Sequence, residues 1–382
     1  MTFVGFIGIL IGCIAARFAY LEPSRLRVSI FAATYLLHIA ASGAYYIIVQ
    51  SSAADAGLYY FDDYGLYEGG FGLSTQFILM VVQTLKLIIG GSFLDYFLIF
   101  QAIGFFGIAV LMRIFEEIHV ELGRPQPLFT YFILFVPSLH YWSSAIGKDA
   151  PMFFATCLAI WALLRLRERM VALAVAMLLL LLIRPHVALI ALTAMAMTVF
   201  VDKSTRLRTK VVLFVSAGFG AAYSVYSVWS TFEIDLTSAD AISDRLAARE
   251  SFAQSEEIGG GSRFDAALPL RILSLLFRPL FIDARNAMEL IISAENAFVL
   301  FVVGTLILKG RAVLALVRAV PFARFSLVFT MALVLVLGLA YYNVCLGLRQ
   351  KWTMIMPGLL VLYVTLRAFL DAKGSQRAAI TA

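Results

Sequence analysis

Four groups of charged residues interrupt the apolar runs of this 382-residue chain. The first is Asp55-Ala56-Gly57-Leu58-Tyr59-Tyr60-Phe61-Asp62-Asp63-Tyr64, and the second is Trp142-Ser143-Ser144-Ala145-Ile146-Gly147-Lys148-Asp149. Arg184-Pro185-His186 follows, then Asn343 through Arg349-Gln350-Lys351, with Arg278-Pro279, Glu289 and Glu295 between them. Arginine and lysine with several donors suit a phosphate or diphosphate group. A carboxylate beside them suits a general base that takes a proton from an attacking hydroxyl. Tyr59 and Tyr60 offer ring faces to a sugar, or anchors at a membrane interface.

Simpler roles exist for each. Asp55, Asp62 and Asp63 read as solvated carboxylates or caps, and Asp149 as an N-cap ahead of Pro151, paired with Lys148. Arg184 reads as snorkelling outward. His186 alone reads as a packed polar residue, and Arg349 with Lys351 as the end of a span. Four His and three Cys, all dispersed, form no metal set, so no cofactor is expected, with a divalent metal left open. No phosphate loop, dinucleotide fingerprint, HExxH or Ser-His-Asp arrangement offers another chemistry.

The elements that must carry these residues are membrane helices. Hydrophobic residues make up 62 % of the chain and charged ones 14 %, with a mean hydropathy of +0.91. A soluble domain holds roughly 45–50 % apolar and about 25 % charged residues, so a single soluble core is excluded, as are disordered and disulfide-scaffold classes. The first apolar stretch lacks a basic leader, which argues against a cleaved signal peptide. The expected fold is all-α: a polytopic membrane helix bundle forming one domain over 1–382. Spans are predicted at 3–20, 28–49, 92–112, 127–142, 151–166, 170–186, 187–201, 211–229, 291–308, 325–342 and 352–370, about eleven in all. Residues 73–90 carry Gln76, Gln83 and Lys86 and are read as an amphipathic helix lying in the interface. It belongs to a first outer loop over 50–91; a second runs over 230–290, with a short amphipathic helix at 239–253 and glycines at 259–261. No internal repeat stands out, which argues against an inverted-repeat transporter.

If the eleven spans alternate, 19 of the 30 basic residues fall in turns on one side, from Arg17, Arg25 and Arg27 to Arg367, Lys373 and Arg377. That side is cytoplasmic by the positive-inside rule, with the N-terminus outside and the C-terminus inside. The charged groups above then share the outer face, where no topological rule calls for cations. The apolar run at 170–183 is 14 residues, or about 21 Å at 1.5 Å per residue, so Arg184 lies below the membrane surface. An arginine at mid-membrane costs about 2.5–3.5 kcal/mol and needs a polar cavity and a partner. A phosphate-binding cavity at this depth points to a lipid-linked donor.

Taken in order, these motifs resemble the GT-C class of integral-membrane glycosyltransferases, in particular the EpsG-like and Wzy-type bacterial polymerases of exopolysaccharide and O-antigen assembly. The resemblance rests on Asp55-x-x-x-Tyr59, Trp142-Ser143-Ser144-x-x-Gly147-Lys148-Asp149, Arg184-Pro185-His186, Arg278-Pro279 and Asn343-x-x-x-Gly347-x-Arg349-Gln350-Lys351. It implies a GT-C-like fold whose first large outer loop carries interfacial helices and the catalytic carboxylate. It also implies transfer of a glycosyl unit, with inversion, from a polyprenyl-phosphate or polyprenyl-diphosphate carrier to a glycan acceptor. Asp55 becomes the candidate base, with Asp62, Asp63 and Asp149 as secondary candidates. Lys148, Arg184, His186, Arg278, Arg349 and Lys351 become donor-phosphate ligands, and Tyr59, Tyr60 and Glu295 contacts for acceptor or sugar. The paired carboxylates frequent in that class are absent at position 55; Asp62-Asp63 is the adjacent pair here. The expected setting is a bacterial inner membrane with the site facing outward, among membrane lipids and without nucleic acid. A flippase for lipid-linked glycans is the alternative, needing the basic cavity but no base.

Overall fold

The computed structural model describes residues 2–51, 55–62, 65–67, 69–201, a few positions between 207 and 219, 268–339 and 344–381. Asp63, Asn343, most of the span at 211–229, and the helix at 239–253 with its glycine run lie outside the described residues. Every regular element described is helical: α1 (Phe3–Ile14), α2 (Ala16–Ala19), α3 (Arg25–Ser51), α4 (Asp55–Phe61), α5 (Thr75–Ile89), α6 (Phe93–Glu121), α7 (Leu128–Phe132), α8 (Pro137–Trp142), α9 (Asp149–Leu164), α10 (Met170–Ile183) and α11 (Pro185–Val201). After the undescribed stretch come α12 (Leu268–Phe277), α13 (Ala287–Leu308), α14 (Gly310–Ala319), α15 (Pro321–Leu339), α16 (Val344–Gln350), a π-helical turn (Lys351–Ile355) and α17 (Met356–Thr381).

The long helix α6 is the central post. Its 29 residues pack against α1, α3, α9 and α17, and Tyr96, Phe97, Phe105 and Phe115 are fully buried along it. α10 packs against α9 and α11, α11 against α15, and α15 against α17. Apolar side chains point outward where a water-soluble protein would place polar ones: Phe3, Val171, Phe200, Ile307 and Leu308 are all exposed. Among the described residues, five helical segments are long and apolar enough to cross a membrane: Arg25–Ser51, Phe93–Glu121, Ala287–Leu308, Pro321–Leu339 and Leu346–Ala372. Six further apolar helices among the described residues are shorter, including Phe3–Ala19, which is made of α1 and α2, and the α9, α10 and α11 set. This is a helical membrane protein.

The predicted span at 127–142 is not a single helix. Residues 127–142 form α7, a 3-10 turn (Ile133–Phe135) and α8 in succession. Pro137 explains the break: Val136 before it is extended (ψ 116°), because a residue preceding proline clashes in the helical region. Two glycines then let this broken segment approach its neighbours. A Cβ on Gly104 of α6 would sit 1.7 Å from the Ser143 carbonyl oxygen, so only glycine fits there. Gly147 adopts φ +143°, which turns the chain into α9.

The helix predicted at 73–90 is present as α5. Its polar side chains serve the protein rather than water: Gln83 Nε2 donates to the carbonyls of Tyr59 (2.9 Å) and Tyr60 (3.2 Å), and Lys86 Nζ to that of Tyr60 (2.6 Å). These are C-terminal carbonyls of the short α4, which lack partners within their own helix. The polar face of α5 thus holds the seven-residue α4 in place.

Candidate functional site

Four segments far apart in sequence meet at the N-terminal end of α9. Asp55 opens α4, Lys148 precedes and Asp149 begins α9, Arg184 directly follows α10, and Arg349 lies in the last turn of α16. Arg349 is the joint. Its Nη1 lies 2.5 Å from Asp55 Oδ2, and its Nε donates to Asp149 Oδ2. Arg184 Nη2 reaches the other oxygen of Asp149 at 3.4 Å, while its buried Nε has no hydrogen-bond partner among the described residues. Lys148 Nζ donates to Ser74 Oγ (3.0 Å) and Thr75 Oγ1 (2.7 Å). Tyr59 is buried with its ring edge against Gly147.

Asp149 is not the N-cap that its place before Pro151 suggested. Lys148 occupies that position without capping through its side chain, and the Asp149 carboxylate is drawn to the two arginines instead. Two carboxylates against two guanidiniums and one ammonium leave the cluster with one excess positive charge, so it is complementary to an anion. Asp55 is the accessible member, its side chain 52 % exposed against 9 % for Asp149. Partial burial works against the Asp55 charge, but Arg349, with Lys148 and Arg184, holds its carboxyl below the ordinary value. Burial, with Arg184 beside it, pushes the Lys148 ammonium down to about 8 against the pull of Asp55 and Asp149. Burial and the nearby Asp55 carboxylate raise the Tyr59 phenol, which therefore stays neutral.

The structure separates several residues from this cluster. Arg349 and Lys351 are two apart on a helical path, hence about 200° around it, and they face different partners. Lys351 is fully buried, donating to Asn296 Oδ1 (2.5 Å) and the Leu276 carbonyl (3.1 Å). Glu295 accepts from the Ser138 amide (2.7 Å) and hydroxyl. Lys351 and Glu295 thus tie α8, α12, α13 and the π-turn together inside the molecule and are structural. Arg278 forms a two-pronged pair with Asp283, at 2.6 and 3.0 Å. Asp62 sits at φ +55° and accepts from the Leu66 (2.7 Å) and Tyr67 (3.3 Å) amides, the role of a turn carboxylate. Tyr60 packs on Phe93 and Tyr96 and donates to the Gly91 carbonyl (2.8 Å), so it anchors α4 rather than facing the cluster. His186 is on the exposed first turn of α11, two residues beyond Arg184.

Sequence reasoning missed Ser74 and Thr75, which receive the Lys148 ammonium. Ser74 is a non-glycine residue at φ +60°, ψ −117°, held by its amide's bond to the Leu182 carbonyl (2.8 Å). Such backbone strain gathers at functional positions, and nothing in a lone Ser-Thr pair signals it. Among the described residues no group of three or more His, Cys, Asp or Glu could hold a metal ion. Comparisons with protein-family models, with curated proteins and with solved structures give no match to this chain.

Proposed function

We propose that this protein is a membrane glycosyltransferase of the GT-C type. It transfers a glycosyl unit from a polyprenyl-linked phosphate or diphosphate donor to an acceptor hydroxyl, with inversion, at the outer face of a bacterial inner membrane. The observation that carries the proposal is the convergence of Asp55, Asp149, Arg184, Arg349 and Lys148 from distant segments at one end of α9. Arg349 and Arg184 each hold a carboxylate that an incoming phosphate can replace, and the unpaired Arg184 Nε and the Lys148 ammonium add donors. When the donor phosphate takes Arg349, Asp55 is released from its ion pair. The freed carboxylate accepts the proton of the acceptor hydroxyl as its oxygen attacks the anomeric carbon, and the sugar–phosphate bond breaks with its electron pair going to the phosphate. Substrate binding thereby uncovers the base. The span count of about eleven and the N-out, C-in orientation belong to the same proposal.

The test is Asp55→Asn in membranes from a cell making the glycan. Loss of a general base costs about 100- to 10,000-fold in rate, with chain insertion and donor binding retained. Near-normal transfer refutes the role. A ladder of product lengths marks a polymerase and a single addition a one-sugar transferase. Lipid translocation without bond formation, unaffected by Asp55→Asn, marks the flippase instead.

A further inference from the structure

The buried histidines of the bundle play no part in that chemistry, and their contacts do not balance for two neutral rings. His38 of α3 and His140 of α8 are both fully buried, with their Nδ1 atoms 3.1 Å apart. His38 Nε2 lies 3.0 Å from the Gln101 carbonyl oxygen, and His140 Nε2 lies 2.6 Å from the Leu134 carbonyl oxygen. A carbonyl oxygen only accepts, so both Nε2 atoms must carry hydrogen. Two neutral imidazoles have then spent both of their N–H protons, and two lone pairs face each other at 3.1 Å. Moving one ring to its other tautomer fills that gap but turns a nitrogen lone pair onto a carbonyl. Three hydrogen bonds need three protons, and a neutral pair supplies two.

We propose that the His38–His140 pair is a proton-binding site, an imidazole–imidazolium couple holding one shared proton between the two Nδ1 atoms. Its surroundings fit an immobilised pair. Phe105 of α6 packs on the His38 ring at 5.5 Å between centroids, and a Cβ on Gly104 would come within 3.3 Å of His38 Nε2. The titratable groups around it are few. Tyr35 of α3 meets Gln101 Nε2 at 3.3 Å and donates to the Ile9 carbonyl, and Glu295 of α13 is engaged by Ser138, two residues before His140. No ion pair reaches either ring among the described residues, so the two carbonyls and the spread of charge over two rings carry the cation. The shared proton fastens α3 to the broken α8 segment, whose continuation through Ser143 and Ser144 delivers Lys148 and Asp149. The Ser42 hydroxyl, bonded to the Ser144 carbonyl (3.2 Å), is a second fastening along the same line.

The experiment is nitrogen-15 and proton NMR of the full chain, labelled at histidine, in lipid bilayers at neutral pH. The expected result is one strongly downfield proton coupled to the Nδ1 nitrogens of two different rings, both Nε2 atoms also being protonated. The other two histidines cannot give it: His119 Nδ1 bonds the Phe115 carbonyl (2.7 Å), and His186 is on the exposed start of α11. Four rings each carrying a single N–H, with no nitrogen coupled across to a second ring, would overturn the assignment. Because the signal is read on the unmodified protein, no variant has to fold. His140→Asn supplies the control, removing the doubly coupled proton where that chain inserts.

Discussion

At the residue scale the decisive feature is that one guanidinium serves two carboxylates. Arg349 lies between Asp55 and Asp149, contributed from 294 and 200 positions away in the chain. Removing it leaves the buried Asp149 carboxylate with only the longer 3.4 Å contact to Arg184, and breaking a buried pair from one side costs about 3–5 kcal/mol. Arg349→Met should therefore lower the thermal midpoint in detergent well below that of the native chain. Adding Asp149→Asn to it should recover part of the loss, because one stranded charge is then gone. A double variant no more stable than the single one would show that the pair is energetically idle. Lys148 gives a pH prediction with two opposite signs. Its ammonium has a folded value of about 8 against an ordinary 10.5, so the folded chain gives up this proton more readily than the unfolded one. The lysine's contribution to stability consequently improves as pH rises from about 8 towards 10.5. Affinity for a phosphate donor runs the other way, falling as pH rises through about 8. KM measured against pH should climb there with little change in kcat, and Lys148→Arg should move that climb to higher pH.

At the element scale, two devices place the site. The polar edge of α5 takes up the end carbonyls of α4, and glycine contacts let the broken segment around α8 press onto α6. Gly104→Ala would drive a methyl into the Ser143 carbonyl at 1.7 Å. It is expected to prevent stable insertion, or to cost both stability and activity by displacing the turn that carries Lys148 and Asp149. Gly43→Ala is the matched control: it lies in α3 with nothing within 4 Å of its Cβ position. Replacing a helical glycine by alanine there should be neutral or stabilising by about 0.5–1 kcal/mol. Expression level and thermal midpoint of the two variants, compared side by side, check this.

Across the whole molecule, charge is sorted between two ends. α9 carries Lys148 and Asp149 at its start, and Arg165 and Arg169 just past its close, 16 helical residues or about 24 Å away. The far end is a second ionic centre. Glu117 of α6 accepts from Arg113 (2.7 Å) and Arg169 (2.9 Å), and Arg169 also stacks on Trp161. Glu116 pairs with Arg27 (2.5 Å). These partners neutralise the buried Glu116 and Glu117 at the end that the positive-inside rule assigns to the cytoplasm. With the native cysteines replaced, a cysteine at Arg167 should react with an impermeant thiol reagent only from the cytoplasmic side, and one at Gly69 only from outside. Labelling of both from one side would reverse or break the proposed topology.

Composition alone made this a helical membrane protein, since so much apolar surface has no aqueous solution. The positions of Asp55, Lys148, Arg184 and Arg349 were legible as candidates, because a charge in an apolar run is costly and must have a partner. Which charges share a partner was not legible. Arg349 and Lys351 look like one cluster along the chain, yet helical rotation sends them to opposite sides, one to Asp55 and Asp149 and the other to Asn296. Likewise, Asp149 read as a cap becomes an arginine ligand, and Ser74 and Thr75 acquire meaning only through Lys148. The sequence by itself determined the medium, the helical class and which residues are too costly to be idle, since these follow from the price of putting charge in hydrocarbon. The tertiary structure decided the pairings, because ion pairs and shared protons depend on distances across helices that no spacing along the chain encodes.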